Sequence, residues 1–381
     1  MKKAFWLLLL PLLSGCWDVK EPERMYYILG LGIDYKDNEY EVYAQIIDFS
    51  NIAKSEQPNP EANQAEVGIS KGRTVEEAYF KMYKSMDERL FWGHLSYVIF
   101  SENALKENVA KPVIEAFIRY RELRYTTWVY TTQESIEEIL LLTPIINKSI
   151  ALSKLSDPFN SYNQSSFIRP VNFRELTIDL DEPSHEVAIP YLKIEEKWKT
   201  EKGDDQIHSI TGVGVLSKDG LKGYLLEDDA VGLQWMNNDF ERGEITFEFE
   251  GYDEPFVTIV VEDAKSKVTP IVENGQILFD IEVKLKVQSS ESNDTNDETM
   301  QQLQRGIEKK VKQEIEKTYT ASLEKQMDIY RLSEVAFRKK FKTWKDVEVD
   351  GKVPLTASSI RNLDVSIDRL ITERTSATKQ Y

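Results

Sequence analysis

Cysteine is almost absent from this sequence, which has one in 381 residues, at position 16. A disulfide needs two cysteines, so an intrachain disulfide framework is excluded. The three histidines stand apart, with no second ligand at metal-binding spacing, so we predict no metal centre. No G-x-S-x-G nucleophile elbow occurs, and Gly212-Val213-Gly214 continues as a strand where a dinucleotide-binding loop would open a helix. We therefore expect a protein that is not an enzyme and holds no cofactor.

An excess of positive charge is also lacking, because 65 acidic residues outnumber 48 basic ones and leave a formal charge of −17. Such a surface repels nucleic acid and anionic lipid headgroups, so we expect no nucleic-acid partner. After Cys16, no apolar run reaches the ~18 residues that indicate a membrane-spanning helix. Any attachment to a membrane must therefore come from a lipid or from protein partners.

The first sixteen residues predict such a lipid. A basic start, Met1-Lys2-Lys3, precedes an apolar stretch from Ala4 to Leu13, as in a secretory signal. The stretch is about half the ~20 residues that span a bilayer, so it is typical of a signal and not of a permanent anchor. Leu13, Ser14 and Gly15 form the signal-peptidase recognition sequence of a lipobox, and Cys16 is the predicted lipid anchor. Its neighbour Trp17 either lies in the membrane interface or packs on the folded chain.

These features divide the chain into a signal peptide at 1–15 and a lipidated tether at 16–25. Residues 26–198 then alternate strand and helix patterns. They predict an N-terminal α/β domain, which is open to further subdivision. Thr74 with Glu77, and Ser135 with Glu138, have the spacing of helix N-caps. The polar segments 54–66 and 156–183 are expected to be loops.

The charged segment 199–206 has no large apolar side chain and predicts a domain boundary. Residues 207–381 form a strand-rich C-terminal domain with a long amphipathic helix region at 300–344. A 45-residue pattern is long for one helix, so we expect two helices or a kink near Arg331–Ser333. Apolar side chains recur every four residues there and are expected to pack on the domain's own sheet: Leu303, Ile307, Val311, Ile315 and Tyr319. The predicted fold class is α+β, with two or three mixed α/β domains whose mainly antiparallel sheets are flanked by helices.

Several motifs, taken in order, resemble one family. Gly15-Cys16-Trp17-Asp18, followed by Leu29-Gly30-Leu31-Gly32-Ile33-Asp34, resembles the start of the Ger(x)C proteins. Gly93-His94-Leu95 resembles the family's short G-H strand entry. After the lipobox, this sequence has Val19-Lys20-Glu21 where the family frequently has Arg-Glu.

The C-terminal half carries the third match. Thr211-Gly212-Val213-Gly214-Val215, Lys222-Gly223-Tyr224-Leu225 and Gly232-Leu233-Gln234-Trp235 are similar to the family's strand, L-x-G turn and G-x-x-W helix. Leu216 stands where the family usually keeps phenylalanine. The resemblance covers nearly the whole chain after Cys16.

The resemblance implies a lipoprotein on the outer face of the spore inner membrane, the C subunit of a GerA-type nutrient germinant receptor. It implies assembly with membrane A and B subunits, a role in triggering germination, and no catalytic residues to carry over, only Cys16. The alternatives are a solute-binding lipoprotein of an uptake system, which would show two similar lobes, and a cell-wall enzyme, against which the missing catalytic residues count.

Overall fold

The computed structural model describes residues 24–47, 65–119, 124–201, 203–249, 256–289 and 297–372. Within these ranges the strands are β1 (Met25–Lys36), β2 (Glu39–Ile47), β3 (Ala65–Gly72), β4 (Arg89–Phe91), β5 (Tyr97–Ser101), β6 (Trp128–Thr132), β7 (Val187–Thr200), β8 (Gly203–Ser217), β9 (Gly220–Leu226), β10 (Gly243–Glu248), β11 (Phe256–Glu273), β12 (Gln276–Ser289) and β13 (Ile360–Thr372). The α-helices are α1 (Val75–Tyr83), α2 (Ala110–Arg119), α3 (Ile136–Leu141), α4 (Pro158–Tyr162), α5 (Phe173–Asp181), α6 (Gly232–Met236), α7 (Asp297–Glu324), α8 (Leu332–Lys339) and α9 (Phe341–Val347).

The first sheet runs in the order β3-β2-β1-β5-β6-β7-β8-β9, with β4 paired to β1. Its centre is parallel, because β5 lies between β1 and β6 and all three run the same way. Hairpins at both ends make the flanks antiparallel. Helical crossovers are what parallel neighbours require, and α2 provides one between β5 and β6.

Each face of this sheet is covered by a different layer. On one face α1, α2 and α5 bury apolar side chains against the strands, among them Tyr79, Phe117 and Leu176. On the other face lie α3 and the turns that follow it, with Ile139 and Leu155 buried against β1, β5 and β6. Two separate cores result because alternate residues of each strand point to opposite faces.

The second sheet runs in the order β10-β11-β12-β13, antiparallel except where β13 joins β12 in parallel. The helix α7 packs on it, and every member of its predicted apolar row is buried: Leu303, Ile307, Val311, Ile315 and Tyr319. Val213 and Leu225 of the first sheet belong to the same core. The fold is therefore α+β, with mixed sheets in which antiparallel pairs are the more numerous, as predicted.

Local signals located the helix starts correctly. The Thr74 hydroxyl accepts from the Glu77 amide, and Ser135 does the same for Glu138. In a capping box, the Glu77 carboxylate would accept from the amide of the N-cap residue, Thr74. Here it accepts from the Arg73 amide, one residue earlier.

The prediction of a loop over 156–183 was wrong. The segment contains α4 and α5, and α5 begins with a capping box in which Asn172 accepts from the Glu175 amide and Glu175 accepts from the Asn172 amide. Thr74 and Glu77 have the same three-residue spacing and predicted a helix start. At Asn172 the polar residues around the motif favoured the interpretation as a loop. The strand β3, which begins at the end of the predicted 54–66 loop, was also missed.

Residues 199–206 lie at the tip of a long hairpin formed by β7 and β8. Both strands belong to the first sheet, so the segment turns the chain back and does not lead to the second sheet. The division into domains at this point stays a prediction.

The region 300–344 is broken into three helices, in line with the expected interruption. The first ends at Glu324, and α8 begins at Leu332 after Arg331, whose φ of 59° is left-handed. A second break at Lys340 separates α8 from α9.

Candidate functional site

The predicted lipid anchor Cys16 and its recognition residues Leu13, Ser14 and Gly15 lie outside the described residues, as does Trp17. Their roles therefore stay predictions. Of the helices that the structure describes, none has the length and apolar character that crossing a membrane would require.

The three histidines occupy three different settings. The His94 ring packs on Tyr27 and Phe91, with centroids 5.4 and 5.6 Å away, just before β5. His208 places Nε2 2.8 Å from the Ile139 carbonyl oxygen. His185 alone approaches acidic side chains, and it lies where the first sheet meets the C-terminal helices.

That meeting place contains several buried charged side chains. Glu186, at the entrance to β7, has a side chain that is 0% exposed and pairs with Lys222 at 3.0 Å. A second lysine, Lys352, contacts the same oxygen, and the other oxygen accepts from the Asp328 amide at 2.7 Å. Burial would raise the pKa of Glu186, but Lys352 and the other donors keep it lowered. The carboxylate therefore stays charged and ties together three distant segments.

Asp328 organises the start of α8 from the opposite side of this cluster. Its two carboxylate oxygens accept from the Leu332 and Ser333 amides at 2.8 and 2.6 Å. These are backbone donors that the helix leaves unsatisfied. Burial raises the pKa of Asp328 to about 6 although both amides oppose that shift, so this carboxylate takes up a proton at a higher pH than an ordinary aspartate does.

His185 adds a second buried pair one residue earlier in the chain. Its Nδ1 lies 2.6 Å from Oε2 of Glu334 on α8, and Nε2 lies 3.6 Å from Asp179 on α5. Arg331 and Arg338 also bind the Glu334 carboxylate, at 2.8 and 2.9 Å. Burial would raise the pKa of Glu334, but His185 and Arg331 hold it at about 2.

Hydrogen bonds between backbone and hydroxyl groups complete this junction, which we define as residues 184–186, Lys222 and 328–353. The Ser184 hydroxyl donates to the Gly351 carbonyl, and the Val353 amide donates to the Ser333 hydroxyl at 2.7 Å. The first bond joins residues 167 positions apart and holds the 349–353 loop against the segment that leads into β7. The second ties the same loop to α8.

Beside the junction lies a cleft of about 550 Å³. Its floor is apolar, with Val187, Met236 and Ile329, and its rim is charged. Several charged rim groups are already paired: Arg331 and Arg338 both bind Glu334, and Arg169 binds Glu175 and Asp239 just outside the cleft. No cleft side chain is among the buried polar groups that lack a partner in the described ranges. The cleft therefore has no unsatisfied buried group to orient a ligand.

The chemistry of the junction is that of a structural connection. Over the described ranges, no group of three His, Cys, Asp or Glu residues has the arrangement of a metal site. The His185–Glu334 pair is enclosed, with both side chains under 5% exposed. Sequence reasoning missed this pair because its members lie 149 residues apart and neither carries a local motif.

Comparisons with known proteins match two family models to successive parts of the chain. The model of the "Spore germination protein N-terminal domain" matches residues 18–194, and that of the "Spore germination B3/GerAC like, C-terminal" family matches 211–368. Spore germination protein KC of Bacillus subtilis (strain 168) is 25% identical over 90% of this chain and 88% of its own. Spore germination protein B3 of the same organism is 24% identical over 80% of this chain and 79% of its own.

A solved structure shows the same fold. The crystal structure of the GerBC protein is similar with a TM-score of 0.54 and 18% identity, over 90% of this chain and 96% of that one.

Replacing Glu334 with glutamine tests the buried pair through pH. The folded pKa of about 2 lies below the ordinary 4.5, so ionised Glu334 stabilises the fold above about pH 4.5, and this contribution is lost as the pH falls towards 2. E334Q should therefore be less stable at neutral pH, by a few kcal/mol, and should lose less stability on acidification. Denaturant unfolding over a pH series measures both effects.

The matched control is Glu244, an exposed glutamate on β10. E244Q should leave the free energy of unfolding at neutral pH unchanged, because its side chain is exposed. Equal acid sensitivity in E334Q and the wild type would contradict the assignment.

Proposed function

Because this chain belongs to the Ger(x)C family of spore germination proteins, we propose that it is the lipoprotein C subunit of a nutrient germinant receptor. In this role it is anchored by a lipid on Cys16 to the outer face of the spore inner membrane. It assembles there with membrane A and B subunits, supports receptor assembly and the triggering of germination, and performs no catalysis.

The observation that carries this proposal is the match of both family models, in order, over nearly all the chain after Cys16. The relatives of known sequence are matched over most of their own length, so the likeness is not confined to one module. Their names identify them as germination proteins, which supports the same role for this chain.

The junction suggests how the two matched regions act as one unit. Ser184, His185 and Glu186 belong to the N-terminal match, whereas Asp328, Glu334 and the 349–353 loop belong to the C-terminal one. Buried charges join them, and leaving any of these charges without a partner would cost several kcal/mol. A displacement of one region by a membrane subunit would therefore be transmitted to the other.

The uptake alternative finds little support in the cleft. A solute-binding site places a few polar groups so that they converge on the ligand. Here Arg169, Arg331 and Arg338 are bound to neighbouring carboxylates. The two sheets also differ in strand number and order, so the part of the chain that the structure describes does not form two similar lobes.

The variant Cys16→Ala tests the anchor. It removes the thiol that accepts the diacylglyceryl group, so metabolic labelling with a radioactive fatty acid should disappear and the protein should leave the membrane fraction. Ser14→Ala, which keeps a small residue before the cleavage site, should retain both. Persistent labelling of the Cys16→Ala protein would show that the lipobox assignment is wrong.

Deletion of the gene tests the receptor role. Spores lacking the protein should fail to germinate with some nutrients, as measured by loss of optical density, while vegetative growth and germination by a non-nutrient trigger such as dodecylamine stay normal. A growth defect together with normal nutrient germination would contradict the proposal.

A further inference from the structure

One stretch of this acidic chain is almost free of acids. Residues 139–174 contain a single one, Asp157, whereas 36 residues would hold about six at the average of 65 in 381. The same stretch contains four cations, namely Lys148, Lys154, Arg169 and Arg174. Its charge therefore opposes that of the rest of the molecule.

Exposed apolar side chains concentrate in the same stretch. Of the large apolar side chains that are exposed in the described ranges, five lie between residues 141 and 159, and we call them the apolar face: Leu141 (47% exposed), Ile145 (36%), Ile146 (81%), Leu152 (71%) and Phe159 (37%). Single exposed apolar residues are common, but a concentration of this kind marks a contact surface.

The backbone at Ile146 supports a contact role. Ile146 has φ 54° and ψ 33°, a left-handed conformation that is unfavourable for a β-branched residue. Its side chain packs on little of its own chain, because 81% of it is exposed. Strain that holds an apolar side chain in water indicates a function outside the fold.

The apolar face lies on one side of the first sheet. Its segment follows α3 and covers the core that contains Ile139 and Leu155, whereas α1, α2 and α5 cover the opposite side. Phe159 packs on Trp128 with ring centroids 5.4 Å apart. Trp128 begins β6 level with Gly30 of β1, towards the end of the sheet at which β1 starts.

The segment that follows Cys16 enters the sheet at this end, through β1. β1, β5 and β6 are parallel neighbours, and strands lie ~4.8 Å apart, so Trp128 is within about 10 Å of β1. Met25 follows Cys16 by nine residues, a distance of at most about 30 Å even when fully extended. An anchor at Cys16 therefore keeps this end of the sheet close to the bilayer.

We propose that the apolar face contacts the lipid bilayer directly, as a second membrane contact beside the lipid of Cys16. The inference rests on the proposed anchoring of Cys16. Apolar side chains enter the interface between headgroups and acyl chains, and Lys148 meets anionic headgroups at their margin. Repulsion of the acidic remainder favours the orientation in which this face meets the membrane.

Site-directed fluorescence tests the contact in the full-length lipidated protein. Cys16 is the sole natural cysteine and its thiol is occupied by lipid, so Ile146→Cys supplies a single site for the fluorophore NBD. In vesicles of phosphatidylglycerol and phosphatidylethanolamine, NBD at position 146 should emit at shorter wavelength and be quenched by doxyl-labelled lipid. NBD at position 152, in Leu152→Cys, should behave in the same way.

Phe80 provides the matched control, because it is 60% exposed on α1, on the opposite side of the sheet. NBD in Phe80→Cys should stay unquenched by lipid and open to aqueous iodide. Vesicle flotation without quenching at 146 and 152, or equal quenching at position 80, would overturn the inference and leave the anchor standing.

Two further outcomes separate the possible failures. If NBD at 146 escapes lipid quenching in vesicles but is shielded from iodide in spore membranes, the face binds a protein and the lipid contact is wrong. If the protein fails to float with vesicles and Cys16 itself reacts with NBD, the anchoring itself fails, and the inference fails with it.

Discussion

The carboxylate of Glu186 is the point on which the arrangement of the two sheets depends. Its side chain is 0% exposed, yet it meets Lys222 from β9, Lys352 near the end of the helical segment, and the Asp328 amide before α8. A charge in such a place is tolerated only when donors surround it, and removing one of them leaves the rest uncompensated. Specific placement, more than gain in stability, is what this cluster provides.

The apolar cores depend on that placement. Val213 and Leu225 lie on strands of the first sheet, but they pack in the core that α7 closes over the second. Gly232 lies so close to α7 that a Cβ there would come within 2.6 Å of the Glu314 carbonyl oxygen. Its amide donates to the Thr318 hydroxyl at 2.9 Å. Close backbone contact and shared apolar packing thus hold the two sheets together, in addition to the buried charges.

Side chains and a proline block the exposed edge of β11. Beyond Val261 this strand has β12 on one side only. Asn238 accepts from the Ser266 amide, Lys339 donates to the Val268 carbonyl, and Pro270 has no amide to offer. An edge blocked in this way resists pairing with another chain.

Local features of the fold could be predicted from the sequence, and non-local ones could not. Thr74 and Ser135 cap helices because capping needs only residues three positions apart, and the row from Leu303 to Tyr319 shows its buried face by spacing alone. The His185–Glu334 pair depends on the tertiary fold, so spacing carries no trace of it.

Composition misled over residues 156–183 for a physical reason. Polar residues around Asn172 suggested a loop, but a helix on the surface needs only one apolar stripe, and Phe173 and Leu176 supply it for α5. The charged residues at 199–206, which predict a domain boundary, lie at the solvated tip of a hairpin. A polar composition indicates that a segment is exposed to solvent. It does not distinguish a loop from a helix or strand on the surface.

The central claim is that this protein is one subunit of a membrane receptor, and co-purification from spores tests it most directly. Affinity purification of the tagged, lipidated protein from detergent-solubilised spore membranes, followed by mass spectrometry, should recover polytopic membrane proteins in constant ratio to it. The same membranes from cells that express only Cys16→Ala should yield them in much smaller amount. Recovery of the lipidated protein alone, at full yield and with its fold intact, would contradict the claim.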